Sequence, residues 1–201
     1  MDIDFDYFSM VLAGVVRAIT DDQMILEHQL NQANTKIDSK LISRNRYTTN
    51  ILGQLIYLGQ NLTDASIQAI GLLEVLNKVD QGFSDEQIKT TINRDKPFVD
   101  VLADPKSLIA ILRIVFCLMK GENLNHKKFK VDLRRRDGYV SVRIESGKIK
   151  SEPGYLKDVL GFMNYTLQPL GGSIHWISRS SIRVAFIRLR LSSQMPLGYN
   201  E

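Results

Sequence analysis

The chain has 201 residues, 44% of them hydrophobic and 24% charged, with a formal net charge of +4. That is enough apolar material for one medium domain or two small ones, and it excludes wholesale disorder. Residues 1–84 hold 6 Lys/Arg against 10 Asp/Glu and residues 85–201 hold 20 against 12, so the two stretches present different surfaces.

The first apolar run, Tyr7 to Ile19, is interrupted by Ser9 and Arg17 and preceded by Asp2, Asp4 and Asp6. It is too short to span a bilayer and carries the wrong charge for a signal peptide, so no membrane association is expected. A single cysteine, Cys117, precludes an internal disulfide and reads as a buried thiol in a reducing, cytoplasmic compartment.

Phe8, Leu12, Val15 and Ile19, then Leu26, Leu30, Ala33, Ile37 and Leu41, recur in steps that place one stripe along a long helix. Thr20 and Gln23 suggest a cap and a break near residue 20. Polar residues Asp38 to Asn50 read as the turn of a helical hairpin. Ile51, Leu55, Leu58, Leu62, Ile67, Ile70, Leu73 and Leu76 then form a return helix. Two helices alone bury their apolar faces poorly, so pairing of two hairpins into a four-helix bundle, a homodimer, is expected.

From Gln81 the pattern changes. Gly82 to Asp85 reads as a linker, Asp95 to Pro97 as a turn, and Phe98 to Leu102 as a short strand. Asp104 and Pro105 open a helix whose apolar face runs from Leu108 to Met119. Phe129, Val131 and Leu133 alternate up to an Asp137-Gly138 turn, and Val140, Val142 and Ile144 return. A helix from Tyr155 to Leu167 stops at Pro169 and Gly171-Gly172. Strands follow at Ser173–Ile177 and Ile182–Leu191. Helices on one face of a mostly antiparallel sheet make this half an α+β sandwich. No internal repeat is present. The expected division is residues 1–82 for the hairpin and 83–201 for the sandwich.

Two stretches carry a family resemblance. Leu102-Ala-Asp-Pro-Lys-Ser-Leu-Ile-Ala-Ile-Leu112 resembles the "D-P-x-x-L-x-x-I-L" helix start of histidine kinases. Gly161 through Leu170-Gly-Gly-Ser-Ile174, ending in Ile182-Arg-Val-Ala-Phe186, resembles their closing pattern. The order of elements also resembles that family's core, a dimerisation and phosphoacceptor hairpin followed by a Bergerat-type ATPase domain. The fold class this implies is a dimeric hairpin bundle followed by a degenerate Bergerat-type sandwich.

The resemblance also shows what is missing. Ile114 and Leu118 stand where the family has its two asparagines, and apolar side chains hold neither magnesium nor its water. Glu145-Ser-Gly-Lys-Ile149 stands where an aspartate-glycine loop would grip adenine. Gly161 stands alone where a glycine-rich lid would supply several N–H groups to the phosphates. No nucleotide cofactor is therefore expected, and no ATP hydrolysis or autophosphorylation.

His28, in Leu26-Glu-His-Gln-Leu-Asn-Gln-Ala33, resembles the family's acceptor box and becomes the phosphoacceptor candidate, flanked by Glu27 and Gln29. Gln29 replaces the acidic residue that would assist the imidazole. The resemblance implies a response-regulator receiver domain as partner, docking near Asn31 and Gln32 and near the facing helix from Ile56 to Gln60. It also implies phosphotransfer to or from that receiver's aspartate, as in phosphorelay intermediates, or else binding without chemistry. His126 and His175 read as surface and sheet residues, and no residue spacing suggests a metal site.

Lys127, Lys128, Lys130, Arg134, Arg135 and Arg136 cluster on one hairpin, with Arg183, Arg188 and Arg190 on the last strand. The total charge of the chain is small, +4. The cluster therefore reads as a solvated, charge-protected edge, and nucleic acid is not expected as a partner.

Overall fold

The computed structural model describes residues 5–31, 38–62, 66–81, 89–94, 100–120, 128–147, 152–179 and 182–192. The expected linker at 82–85, the turn at 95–97 and Phe98 lie outside them.

Helix α1 runs unbroken over Phe5–Asn31. The break expected at residue 20 does not occur, because Thr20 donates its hydroxyl to the carbonyl of Val16 and stays within the helix. Helix α2 spans Ser39–Leu62 and opens directly on Asp38, whose carbonyl accepts from Leu41 and Ile42. The polar stretch read as a turn is therefore the first half of a helix. Several of its side chains bond within the hairpin. Thr48 and Thr49 donate back to the carbonyls of Arg44 and Asn45, and the Asn45 amide donates to Ile19 of α1.

The return helix also ends earlier than its apolar spacing suggests. Residues Gln68–Gly71 form strand β1 and Leu72–Gln81 form helix α3. Strand β1 pairs antiparallel with β3, Asp100–Ala103, and α3 packs on α4, Pro105–Lys120. Leu72, Val75, Leu76 and Val79 keep a helical period, but they bury against the second half of the chain rather than along the hairpin. Asp104 caps α4, its carboxylate accepting from the N–H of Ser107 at 2.7 Å and from that of Ser66 at 3.2 Å.

A five-stranded sheet follows, in the order β2-β4-β5-β7-β6. Its strands are β2, Lys89–Arg94, β4, Lys128–Arg136, β5, Tyr139–Gly147, β6, Ser173–Ser178, and β7, Ile182–Arg190. Strand β2, not anticipated from the sequence, pairs parallel with β4, and the other pairings are antiparallel. Asp137 and Gly138 both take positive φ, 46° and 80°, as a two-residue hairpin turn requires. Helix α5, Leu156–Leu167, passes through a 3₁₀ turn at Gln168–Leu170 and stops at Gly171, φ 67°.

The described helices lie on one face of this sheet. Val140, Val142 and Ile144 point into a single core, together with α4, α5 and the inward residues of the hairpin, Val11, Val15, Ile51, Leu55 and Leu58. Helix α2 lies along α4, and α1 touches α5. The hairpin thus buries one apolar face within its own chain.

Two glycines let it close. The ring of Phe8 rests against Gly59 of α2 and stacks on Phe162 of α5 at 4.9 Å between centroids. Tyr7 rests against Gly161 and donates its hydroxyl to the carbonyl of Asp158 at 3.2 Å.

Candidate functional site

Where the hairpin crosses the second half, a cavity of about 300 Å³ opens. Ile25 and Asp22 of α1, Arg44, Tyr47 and Thr48 of α2, Cys117 and Leu118 of α4, Tyr155 ahead of α5, and Arg183 of β7 line it. The polar half of α2 supplies one wall. Arg44 reaches across the hairpin to the buried carboxylate of Asp22, with Nε to Oδ2 at 2.9 Å and a second, shorter contact from Nη2 to Oδ1. Thr48 and Tyr155 share a hydroxyl hydrogen bond of 3.2 Å.

Arg183 does not belong to the surface cluster in which the sequence places it. It is 1% exposed, donates to the carbonyl of Leu118 at 3.2 Å, and lies 5.7 Å from the centre of the Trp176 ring. Its alternation with Ala185 and Ile187 along β7 was the signal that it faces inward.

Burial dominates the electrostatics here. It pushes the Cys117 thiol up to about 12, so no thiolate nucleophile is offered near neutral pH. It pushes the Tyr47 phenol up to about 12 and raises that of Tyr155, partly offset by the hydrogen bond from Thr48. Lys120, over the Tyr47 ring at 4.6 Å, is lowered to about 8, again chiefly by burial. A wall of protonated phenols, a protonated thiol and a tight ion pair suits binding or packing, not nucleophilic chemistry.

The positions that would hold a magnesium nucleotide do not fit one. Ile114 and Leu118 are 0% and 2% exposed, on the helix that α2 covers. The Ser146 hydroxyl is committed to the carbonyl of Met119 at 3.1 Å. The space that a Cβ at Gly161 would fill is occupied by the Tyr7 hydroxyl, so this glycine receives a helix rather than a phosphate. Residues Lys148 and Ile149 lie outside the described residues.

His28 sits in the last turn of α1, exposed, with exposed Glu27 beside it and exposed Asn31 one turn on. Gln29 serves the hairpin turn, its side-chain oxygen accepting from the N–H of Asp38 at 3.2 Å. Gln32 and His126 lie outside the described residues. His175 is exposed on β6, with a ring nitrogen 3.4 Å from the Ser173 hydroxyl.

Ile56 and Gln60 are exposed on α2, but the structure does not bring them to His28. The antiparallel contacts set Gln29 against Asp38 and Asp22 against Arg44, and Gly59 against Phe8. At 1.5 Å per residue, Ile56 lies about 18 Å beyond Arg44, toward the opposite end of the hairpin. Asp22, Tyr155 and Arg183 line the cavity without any forewarning from a motif. Among the described residues, no His, Cys, Asp and Glu group could hold a metal ion, and no helix is long and apolar enough to cross a membrane.

No protein-family model matches this sequence, nor does any curated protein. Solved structures do. The Acinetobacter baumannii histidine kinase AdeS is similar over 85% of this chain and 95% of its own, with a TM-score of 0.53 at 17% identity. Histidine kinase ThkA, solved in complex with the response regulator protein TrrA, matches 93% of this chain at a TM-score of 0.55 and 14% identity. That match spans 62% of the ThkA chain. The catalytic domain of ThkA alone matches 62% of this chain and 97% of its own, with a TM-score of 0.50 at 15% identity. A helical hairpin on a helix-backed sheet, in this order and with these neighbours, gives the chain the fold of a histidine-kinase core.

Proposed function

We propose that this protein is a two-component signalling component that has given up ATP chemistry and acts as a histidine phosphotransferase. His28 accepts phosphate from the aspartate of a receiver domain and returns it to another. The observation that supports this is the placement of His28, solvent-facing on α1 while the hairpin stays docked on α4 and α5. In the transfer, a neutral imidazole nitrogen attacks the phosphorus of an aspartyl phosphate and the carboxylate leaves. The receiver meets Glu27, His28 and Asn31 at the turn end of the hairpin.

Exposed Phe5, Val16 and Leu30 of α1, with Ile42 and Ile56 of α2, form the surface on which a second copy completes a four-helix bundle. A sedimentation mass near the monomer's 22.9 kDa refutes that dimer.

A second reading, binding of a receiver or kinase without chemistry, is favoured by one contact. Gln29, which stands where the resemblance would place an acidic residue, gives its side-chain oxygen to the N–H of Asp38 at 3.2 Å.

Incubation with receiver domains carrying labelled aspartyl phosphate separates the two. Phosphotransfer predicts an acid-labile, alkali-stable label on the wild type and background label on His28→Ala. Label retained by His28→Ala removes the assignment of His28. An unlabelled wild type, with receivers shown to be charged, leaves the binding reading.

A further inference from the structure

The open face of the sheet gathers four arginines that the sequence scatters over two strands. Buried Val140, Val142 and Ile144 mark the face of β5 that meets the helices, so Tyr139, Ser141, Arg143 and Glu145 share the opposite one. In register, Arg134 of β4, Ser141 of β5, Arg188 of β7 and Ser173 of β6 form one row. Arg136, Tyr139 and Arg190 form the next. With strands about 4.8 Å apart, the arginines of each row flank a hydroxyl-bearing residue at roughly 10 Å, and the rows lie about 7 Å apart.

Charge on this face is segregated. At one end Asp132 is bound by Arg143 at 3.0 Å and approached by Lys130 at 3.6 Å, and Glu145 pairs with the same Arg143. Among the described residues the two arginine rows contain no carboxylate, and Asp137 in the turn pairs with Arg136 at 3.1 Å.

Edge protection accounts for only half of this. Among the described residues, Arg134 and Arg136 extend beyond the last residue of β4 that β2 pairs with, where charge can guard a strand edge. Arg188, however, is exposed on a strand flanked by β5 and β6, where there is no edge to guard.

The register also brings an aromatic ring between the arginines of the second row. Tyr139 stands between Arg136 and Arg190, with the guanidinium of Arg188 over its ring, 3.7 Å from the centroid. Half-buried Phe186 lies further along the same face.

We infer that this end of the open sheet face binds single-stranded nucleic acid, with arginines on phosphates and the Tyr139–Arg188 stack as platform for a base. An acidic protein needs the charges but not the stacked platform between them. A flexible single strand uses both and tolerates the shallow, open surface.

The test is anisotropy of a labelled uridylate dodecamer titrated with the full chain over a range of salt. Four phosphate contacts predict a slope of log K against log salt of about −3. Arg134→Ala/Arg188→Ala, two exposed sites, is expected to fold as the wild type does by circular dichroism. Its binding is expected to weaken at least about tenfold at low salt, with the slope falling to about −1.4. Arg17→Ala/Lys157→Ala, exposed charges on helices away from this face, is expected to bind as the wild type does. Three results each overturn the inference. They are no binding by the wild type, equal binding by the Arg134/Arg188 variant, and a polyglutamate peptide that binds as tightly as the dodecamer.

Discussion

If the hairpin is seated as the structure shows, two glycines of the same helix should respond to alanine with opposite signs. Gly53 and Gly59 both lie within α2. A Cβ at Gly53 meets nothing within 4 Å, whereas one at Gly59 would come within 2.7 Å of Phe8 Cε1 and closer still to Cζ. Glycine to alanine in a helix interior gains about 1 kcal/mol, so Gly53→Ala is expected to stabilise by about that amount. At Gly59 the same gain meets a ring that cannot slide aside without leaving its 4.9 Å stack on Phe162.

Emptying a fully buried phenylalanine site costs about 3–5 kcal/mol, and half-buried Phe8 should therefore cost about 2 kcal/mol. Gly59→Ala is then expected to destabilise by about 1 kcal/mol net. In a Phe8→Ala background the obstruction is gone, and Gly59→Ala should stabilise by about 1 kcal/mol, a coupling of about 2 kcal/mol between the two positions. Urea melts of the four proteins of this cycle, followed by far-UV circular dichroism, measure it. Additivity, with Gly59→Ala stabilising in both backgrounds, would refute the docking of α1 on α2 and α5 described here.

Asp22→Ala removes the buried carboxylate that Arg44 binds and is expected to cost about 1–3 kcal/mol in the same melts, more than Asp21→Ala, an exposed neighbour on the same cavity. Cys117, held near 12 in the folded chain against an ordinary value of 9.0, stabilises fully below pH 9, and this contribution is lost as pH rises from 9 to 12. A Cys117→Ala chain should show a shallower loss of stability over that window, and native wild type should resist alkylation by iodoacetamide until unfolded.

Composition and periodicity were sufficient for much of this molecule. The strands from Phe129 to Ile144 and from Ser173 to Arg190, the Asp137-Gly138 turn, the Asp104 cap and the stop at Gly171 all follow from local rules, because alternation, positive φ and capping act over a few residues. The motif likeness likewise pointed to a histidine-kinase build. Period alone did not show where the return helix ends. Leu58 and Leu72 carry the same spacing signal, and only the pairing of β1 with β3 shows that the second belongs against α4.

The polar run Asp38–Asn50 misled for the same reason. Arg44, Asn45 and Thr48 are hydrophilic yet helical, because their partners, Asp22, Ile19 and Tyr155, come from elsewhere in the chain. Strand register likewise set Tyr139 among the arginines. Sequence determines which residues can face a sheet or a helix groove. Which of them meet is decided by strand register and helix docking, free energies that exist only once distant segments are brought together.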